Sequence, residues 1–202
     1  MPICPHNKFA FIHIPKCGGT TIERHFKIMG KGNFYGDNSQ INGMTFSPQH
    51  YTYKMLNDKV NLSNYYTFSF VRNPYDRVIS EYFWNQNKSV GKIKKSEDYK
   101  DFIFWFKSFY KNINSDHKLP QYKFICDDED NILVDTLGRV ENFKEDFLNI
   151  IFKITKEKSE SKFEKPNYKT EKFRESYLTD EVVSVINEIY QKDFEIFNYK
   201  MM

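Results

Sequence analysis

The sequence predicts an α/β fold with helices packed on a central parallel sheet. Two observations carry that prediction. Phe9–Ile14 and Tyr65–Val71 are short apolar runs, rich in aromatic and branched residues, as buried strands require. Each runs straight into a polar turn and a signalled helix start, at Lys16–Thr20 and at Arg72–Asp76. Strand, turn and helix, twice in that order, put both strand ends at one sheet edge, where such folds bind ligands.

The first turn is Lys16-Cys17-Gly18-Gly19, followed by Thr20, Thr21 and Glu23. Adjacent glycines let the backbone turn sharply and approach a ligand. Thr20 and Glu23 have the spacing of a capping box, which predicts a helix start there. A strand ending in glycines before a helix start aims several N–H groups at one point, a cradle for an anion. An ordinary tight turn is the other reading, and Lys16 with two hydroxyls favours the anion. In the second turn Asn73 is the predicted N-cap, Pro74 the first helical residue and Asp76 a first-turn acid, with the helix reaching about Trp84.

The remaining elements follow in order. Met29–Ser47, with four glycines, reads as an exposed loop, and Pro48 opens a short helix through Leu56. Asn85–Tyr99 is a polar loop, and Asp101–Tyr110 is an aromatic helix whose stripe belongs to the core. Tyr122–Ile125 reads as extended, Asp127–Asn131 as a solvated acidic turn without a calcium-loop pattern, and Ile132–Val140 as a strand. Glu141–Phe152 has helical spacing at Phe143, Phe147, Ile150 and Ile151. Lys153–Arg174 carries eight Lys or Arg against four Glu, a local charge of +4: a soluble connector or a rim that attracts an anion. Thr179 caps the last helix.

Composition sets the limits. At 202 residues the chain is predicted to be a single domain, residues 1–202, and 40% hydrophobic residues with 20 Phe and 14 Tyr supply its core. A net charge of +3 argues against a nucleic-acid partner. Cys4, Cys17 and Cys126 are scattered without metal-ligand spacing, so no metal is expected and a reduced setting is. No apolar run approaches membrane-spanning length and the N-terminus has no apolar signal core, which predicts a cytoplasmic protein.

The motifs resemble those of a known family. His13-Ile-Pro-Lys-Cys-Gly-Gly-Thr-Thr21 is similar to the 5′-phosphosulfate loop of the sulfotransferases, and Phe70-Val-Arg-Asn-Pro-Tyr-Asp-Arg-Val-Ile-Ser80 to their 3′-phosphate motif. Leu119-Pro-Gln121, Gly138–Phe143 and Tyr190–Phe197 extend the likeness over most of the chain. The carbohydrate sulfotransferases, the group with heparan sulfate 2-O-sulfotransferase, look most similar. That resemblance implies a P-loop-NTPase-like domain using 3′-phosphoadenosine 5′-phosphosulfate (PAPS) to sulfate a hydroxyl, here on a carbohydrate. It implies that Cys17, Gly18, Gly19, Thr20 and Thr21 cradle the 5′ side, and that Arg72 and Ser80 hold the 3′-phosphate. It implies that Lys16 binds the donor and stabilises charge as the bond to phosphate breaks.

A base is also needed. Phe46-Ser-Pro-Gln-His50 resembles the stretch where several members carry a catalytic histidine, which makes His50 the candidate, with a carboxylate left open. His13 reads as a buried structural residue, and His25 and His117 are unassigned. Golgi members carry an N-terminal anchor and this sequence starts close to its first strand, which predicts a bacterial or viral cytoplasmic enzyme, or a chain trimmed of its anchor.

The rivals fit less well. A nucleotide kinase loop places its lysine after the glycines, whereas Lys16 precedes them. A cysteine phosphatase needs five residues between cysteine and arginine, and Cys17 to Arg24 leaves six. A non-catalytic nucleotide- or glycan-binding module would keep Arg72 and Ser80 but need neither Lys16 nor a base.

Overall fold

The computed structural model describes residues 3–28, 39–41, 44–88, 98–111, 115–159 and 168–202. Its strands are β1 (Ile3–Cys4), β2 (Phe9–Ile12), β3 (Ser39–Ile41), β4 (Met44–Phe46), β5 (Tyr66–Val71) and β6 (Thr136–Arg139). Its helices are α1 (Gly19–His25), α2 (Tyr53–Lys59), α3 (Pro74–Lys88), α4 (Tyr99–Tyr110), α5 (Tyr122–Ile125), α6 (Phe143–Thr155), α7 (Arg174–Tyr177) and α8 (Asp180–Ile196). A central four-stranded sheet runs in the order β1-β2-β5-β6 with helices around it, a mixed α/β architecture.

The two sequence-legible strands are neighbours. β2 pairs parallel with β5, from Phe9 opposite Tyr66 to Ile12 opposite Ser69, and β5 pairs parallel with β6. Their carboxyl ends therefore lie side by side. The central strands are parallel, as expected, and at one edge β1 runs antiparallel to β2. Only the turn Pro5–Lys8 joins these two strands, too short for the crossover that a parallel pair demands.

Two apolar clusters cover the sheet and its helices. Phe9, Phe11, Phe68 and Phe70 pack with Phe143 and Phe147 of α6 in the first. Tyr75 and Tyr82 of α3, Phe102 and Phe106 of α4, Tyr177 of α7 and Tyr190 and Phe194 of α8 form the second. The stripe of α4 is core, as expected, although Phe104 on its other face is 79% exposed.

Several elements differ from the sequence reading, each for a local reason. α1 begins at Gly19 without the Thr20–Glu23 capping box: its N-cap is Gly18, in left-handed backbone at φ 82°, and Glu23 turns inward. Pro48–His50 is a separate 3-10 turn, because Tyr51 and Thr52 are extended and Thr52 caps α2 by accepting the Met55 N–H at 3.2 Å. Tyr122–Ile125 is helical, not extended. Asp193 accepts the Gln121 and Tyr122 N–H groups at 2.8 and 2.9 Å and so does the work of a cap from a distant helix. β3 and β4 form a hairpin inside the predicted 29–47 loop. The predicted 132–140 strand is shorter, Thr136–Arg139, and α3 runs on to Lys88. Thr179 stands at the N-cap of α8 but makes no capping hydrogen bond; its hydroxyl meets Tyr99 at 3.3 Å. Asn73 and Asp127 behave as read: Asn73 accepts the Tyr75 N–H, and Asp127 closes the acidic turn on Glu129 and Asn131. Residues 29–38, 42–43, 89–97 and 160–167 of the predicted loops lie outside the described residues.

Gly138 shows how tightly β6 meets its neighbour. A Cβ there would lie 2.6 Å from the ring of Phe70, itself fully buried in the core. Gly138→Ala is expected to lower unfolding free energy by about 1–3 kcal/mol in a denaturant titration, the usual cost of overpacking. An unchanged midpoint would mean that the sheet can give way there.

Candidate active site

The carboxyl ends of β2 and β5 open into a cavity of about 320 Å³. It is lined by His13, Pro15, Lys16, Gly18, Gly19, Thr20, Thr21, Gln49, His50, Arg72, Ser80, Trp84 and His117. Eight of the nine sequence-predicted site residues are therefore in one place, drawn from three separate stretches. The ninth, Cys17, is not in the lining.

The turn owes its shape to two backbone constraints. Lys16 adopts φ 69° and Gly18 φ 82°, both left-handed. For a lysine that conformation is uncommon and costs energy, and sites that use such strain cluster where function needs it. Gly19 has a different reason to be glycine: a Cβ there would lie 2.1 Å from Nε2 of His13. The ring of His13 thus seats the first turn of α1. His13 is structural, as read, yet it also lines the cavity.

Cys17 faces away from this opening. Its N–H donates to the Ile14 carbonyl at 3.2 Å and its thiol to Gln121 Oε1 at 3.2 Å. A helix N-terminus would be expected to lower a thiol pKa; here burial pushes it up to about 12, against the pull of Arg77 and Arg72. Cys17 is neither a nucleophile nor a lining group.

Arg72 is buried, with Nη1 donating to the Lys16 carbonyl at 3.3 Å, so the two turns touch. Ser80 follows two turns into α3 and reaches the same cavity. The ammonium of Lys16 lies 4.9 Å from the Trp84 ring centroid, a cation–π distance.

Three histidines form a wall of the cavity, in contact with the glycine turn through His13 and with Trp84 through His117. His13 Nδ1 donates to Glu23 Oε1 at 2.8 Å, His50 Nδ1 to Asp116 Oδ2 at 2.9 Å, and His117 Nδ1 to Glu81 Oε2 at 2.8 Å. The rings meet edge to face, with centroids 4.9 Å apart for His13–His50 and 5.0 Å for His50–His117. His117 also stacks on Trp84 at 4.4 Å. Burial lowers the His50 pKa, opposed by the hydrogen bond it donates to Asp116. Burial pushes the carboxyls of Glu23 and Asp116 up, but the histidine each holds outweighs it and leaves both below their usual values. His50 is therefore neutral at neutral pH, with Nδ1–H committed to Asp116 and the Nε2 lone pair remaining.

Sequence reasoning missed Gln49, Trp84, His117 and the three carboxylates. Their partners are 10 to 66 residues away in the chain, so no spacing rule could find them. Gln49 alone had a signal, its place beside His50; it donates to the second oxygen of Glu23 at 2.9 Å. His50, Asp116 and His117 bring one ligand atom each within 4.8 Å of one another, the one group among the described residues able to hold a metal ion.

Behind the cavity, the side chain of Gln121 joins both turns. Oε1 accepts the Arg72 N–H at 2.8 Å, and Nε2 donates to the Arg72 carbonyl at 2.8 Å. Gln121→Leu would strand those two backbone groups in the core. A loss of about 2–3 kcal/mol in unfolding free energy is expected, the penalty for orphaned buried polar groups. Chemical denaturation checks it, and a loss below 0.5 kcal/mol would deny the amide that role.

Comparison with known proteins agrees with this geometry. No curated protein matches the chain. A family model does, over residues 1–200, and it is that of the sulfotransferase family, whose members transfer a sulfuryl group and share a P-loop-like fold. On that match, which spans both turns and all three histidines, the chain belongs to the sulfotransferase family.

Proposed function

We propose that the protein moves the sulfuryl group of PAPS to a hydroxyl on a carbohydrate, with residues 1–202 as one catalytic domain. The observation that carries this reading is the content of one cavity: Lys16, Arg72 and a helix start gathered with neutral His50. The donor set suits a molecule with anionic groups at both ends. First-turn N–H groups at Gly18–Thr20, with the hydroxyls of Thr20 and Thr21, bind the 5′ side. Arg72 offers a planar fork and Ser80 a hydroxyl to the 3′-phosphate. The likeness to 2-O-type carbohydrate enzymes supports the acceptor class. Three unbridged cysteines support a reduced, cytoplasmic setting, and no helix among the described residues is long and apolar enough to cross a membrane.

The chemistry asks mainly for position and charge. PAPS supplies the activated sulfuryl group; the chain holds the reactants in line and steadies the charge that develops. The Lys16 ammonium, 4.9 Å from the Trp84 ring, would steady the negative charge left on the donor as the sulfur–oxygen bond breaks. His50 Nε2 takes the acceptor's proton, and Asp116 holds the ring in the tautomer that can do so. The positive charge comes from side chains and N–H groups, so the step calls for no metal ion.

Calorimetry with 3′-phosphoadenosine 5′-phosphate (PAP) and with ATP tests the donor: PAP is expected to bind, and equal or tighter ATP binding would overturn the reading. Lys16→Ala should cut kcat by about 100- to 1,000-fold with little change in PAP affinity. Arg72→Ala should weaken PAP binding instead. The pH dependence has a definite sign. Protonated His50 cannot accept a proton, and its pKa lies below 6.5, so kcat/KM should be flat near neutrality and fall only in acid. His50→Ala should remove that limb and lower the rate roughly 100- to 10,000-fold. A normal rate in this variant would move the base elsewhere.

A further inference from the structure

The second histidine of the wall, His117, has no part in the chemistry above, yet it is built like the first. It lines the cavity, and its Nδ1 is committed at 2.8 Å to Glu81, which is buried. Glu81 is held in turn by the amide of Asn85, which donates to Oε1 at 2.8 Å. Stacking on Trp84 fixes the ring plane. With Nδ1 carrying its proton toward the carboxylate, Nε2 is left as an acceptor, and it has no hydrogen-bond partner among the described residues. The same holds for His50. The cavity thus presents two imidazole acceptors side by side, their rings 5.0 Å apart, and each is locked in one tautomer by a buried carboxylate.

Two fixed acceptors match a ligand with two neighbouring donors. A lone alcohol or a phenol has one O–H and satisfies one nitrogen. Adjacent hydroxyls on a sugar ring satisfy both, because hydrogen bonds of about 2.8 Å converge from the two rings onto oxygens of neighbouring carbons. Building on the sulfotransferase reading, we propose that the acceptor is a vicinal diol of a sugar: His50 takes the proton of the hydroxyl that attacks sulfur, and His117 receives the hydrogen bond of the hydroxyl beside it. Glu81 is the positioning residue that keeps His117 an acceptor. A site that hydrogen-bonds a substrate hydroxyl discriminates against analogues lacking it, because its own polar group is then left unpaired.

The test measures kcat/KM for transfer of labelled sulfuryl from PAPS to methyl glucoside, methyl galactoside and methyl mannoside, against cyclohexanol and phenol. At least one glycoside is expected to exceed the lone-hydroxyl acceptors by about tenfold or more. Glu81→Gln keeps the shape but turns an amide N–H toward His117 Nδ1, which moves the ring proton to Nε2 and makes it a donor. The glycoside-to-cyclohexanol ratio should then fall about tenfold, the worth of one hydrogen bond. His117→Phe, which keeps the stacking on Trp84, should lower the ratio likewise. Variants that lower both acceptors equally, or a wild type that prefers phenol or cyclohexanol or transfers to no glycoside, overturn the proposal. PAP calorimetry on the same preparations separates the two failures. Loss of the diol preference with PAP still bound removes only this inference, whereas absence of PAP binding to the wild type removes the donor reading beneath it.

Discussion

One buried amide holds the two halves of the site in register. Parallel strands that end side by side leave backbone groups beyond their last ladder bonds, and in a core those groups must find partners. Gln121 supplies them for Arg72, satisfying its N–H and its carbonyl together, while the same Oε1 accepts from Cys17 in the first turn. Gln121 is itself pinned by Asp193 of α8, which accepts its N–H and lies within 3.3 Å of its Nε2. Both residues are fully buried. The separation between Lys16 and Arg72 is thereby set by covalent geometry and five hydrogen bonds of 2.8 to 3.3 Å, not by surface contacts that water could replace.

Arg77 does the same for the other axis of the cavity. Its Nε donates to the Pro15 carbonyl and its Nη2 to the His117 carbonyl, both at 3.1 Å. A buried guanidinium is costly unless paired and hydrogen-bonded, and this one has backbone acceptors, the Tyr190 ring and the negative field of Asp193 around it. The turn before Lys16 and the segment bearing His117 therefore hang on one side chain. Within the motif Arg72–Ser80, the first arginine lines the cavity and the second frames it.

What the sequence made legible was whatever is local. β2, β5, the glycine turn, the Asn73 cap and the helical period of α6 are each decided by residues within a few positions, and each is found where it was read. The errors share a cause. Tyr122–Ile125 is helical because Asp193, far along the chain, caps it. Glu23 has capping-box spacing but prefers His13, which also dictates Gly19. Eight residues of the cavity lining were readable because their motifs are contiguous. His117, Glu81 and Asp116 were not, because a histidine–carboxylate pair 36 or 66 residues apart has no pattern in one sequence.

The His50–Asp116 pair bears on the electrical character of the cavity. A carboxylate beside a histidine can either hold an imidazolium or fix a neutral tautomer. For His50 burial dominates and favours the neutral form. The His13 ring, its centroid 4.9 Å away, adds to the cost of charging His50. Lys16 and Arg72 thus bring positive charge to the cavity, while His50 offers a lone pair. On the proposed reading that pairing gives the reaction its direction: an anionic donor is drawn to Lys16 and Arg72, a hydroxyl is oriented by His50, and the sulfuryl group lies between them.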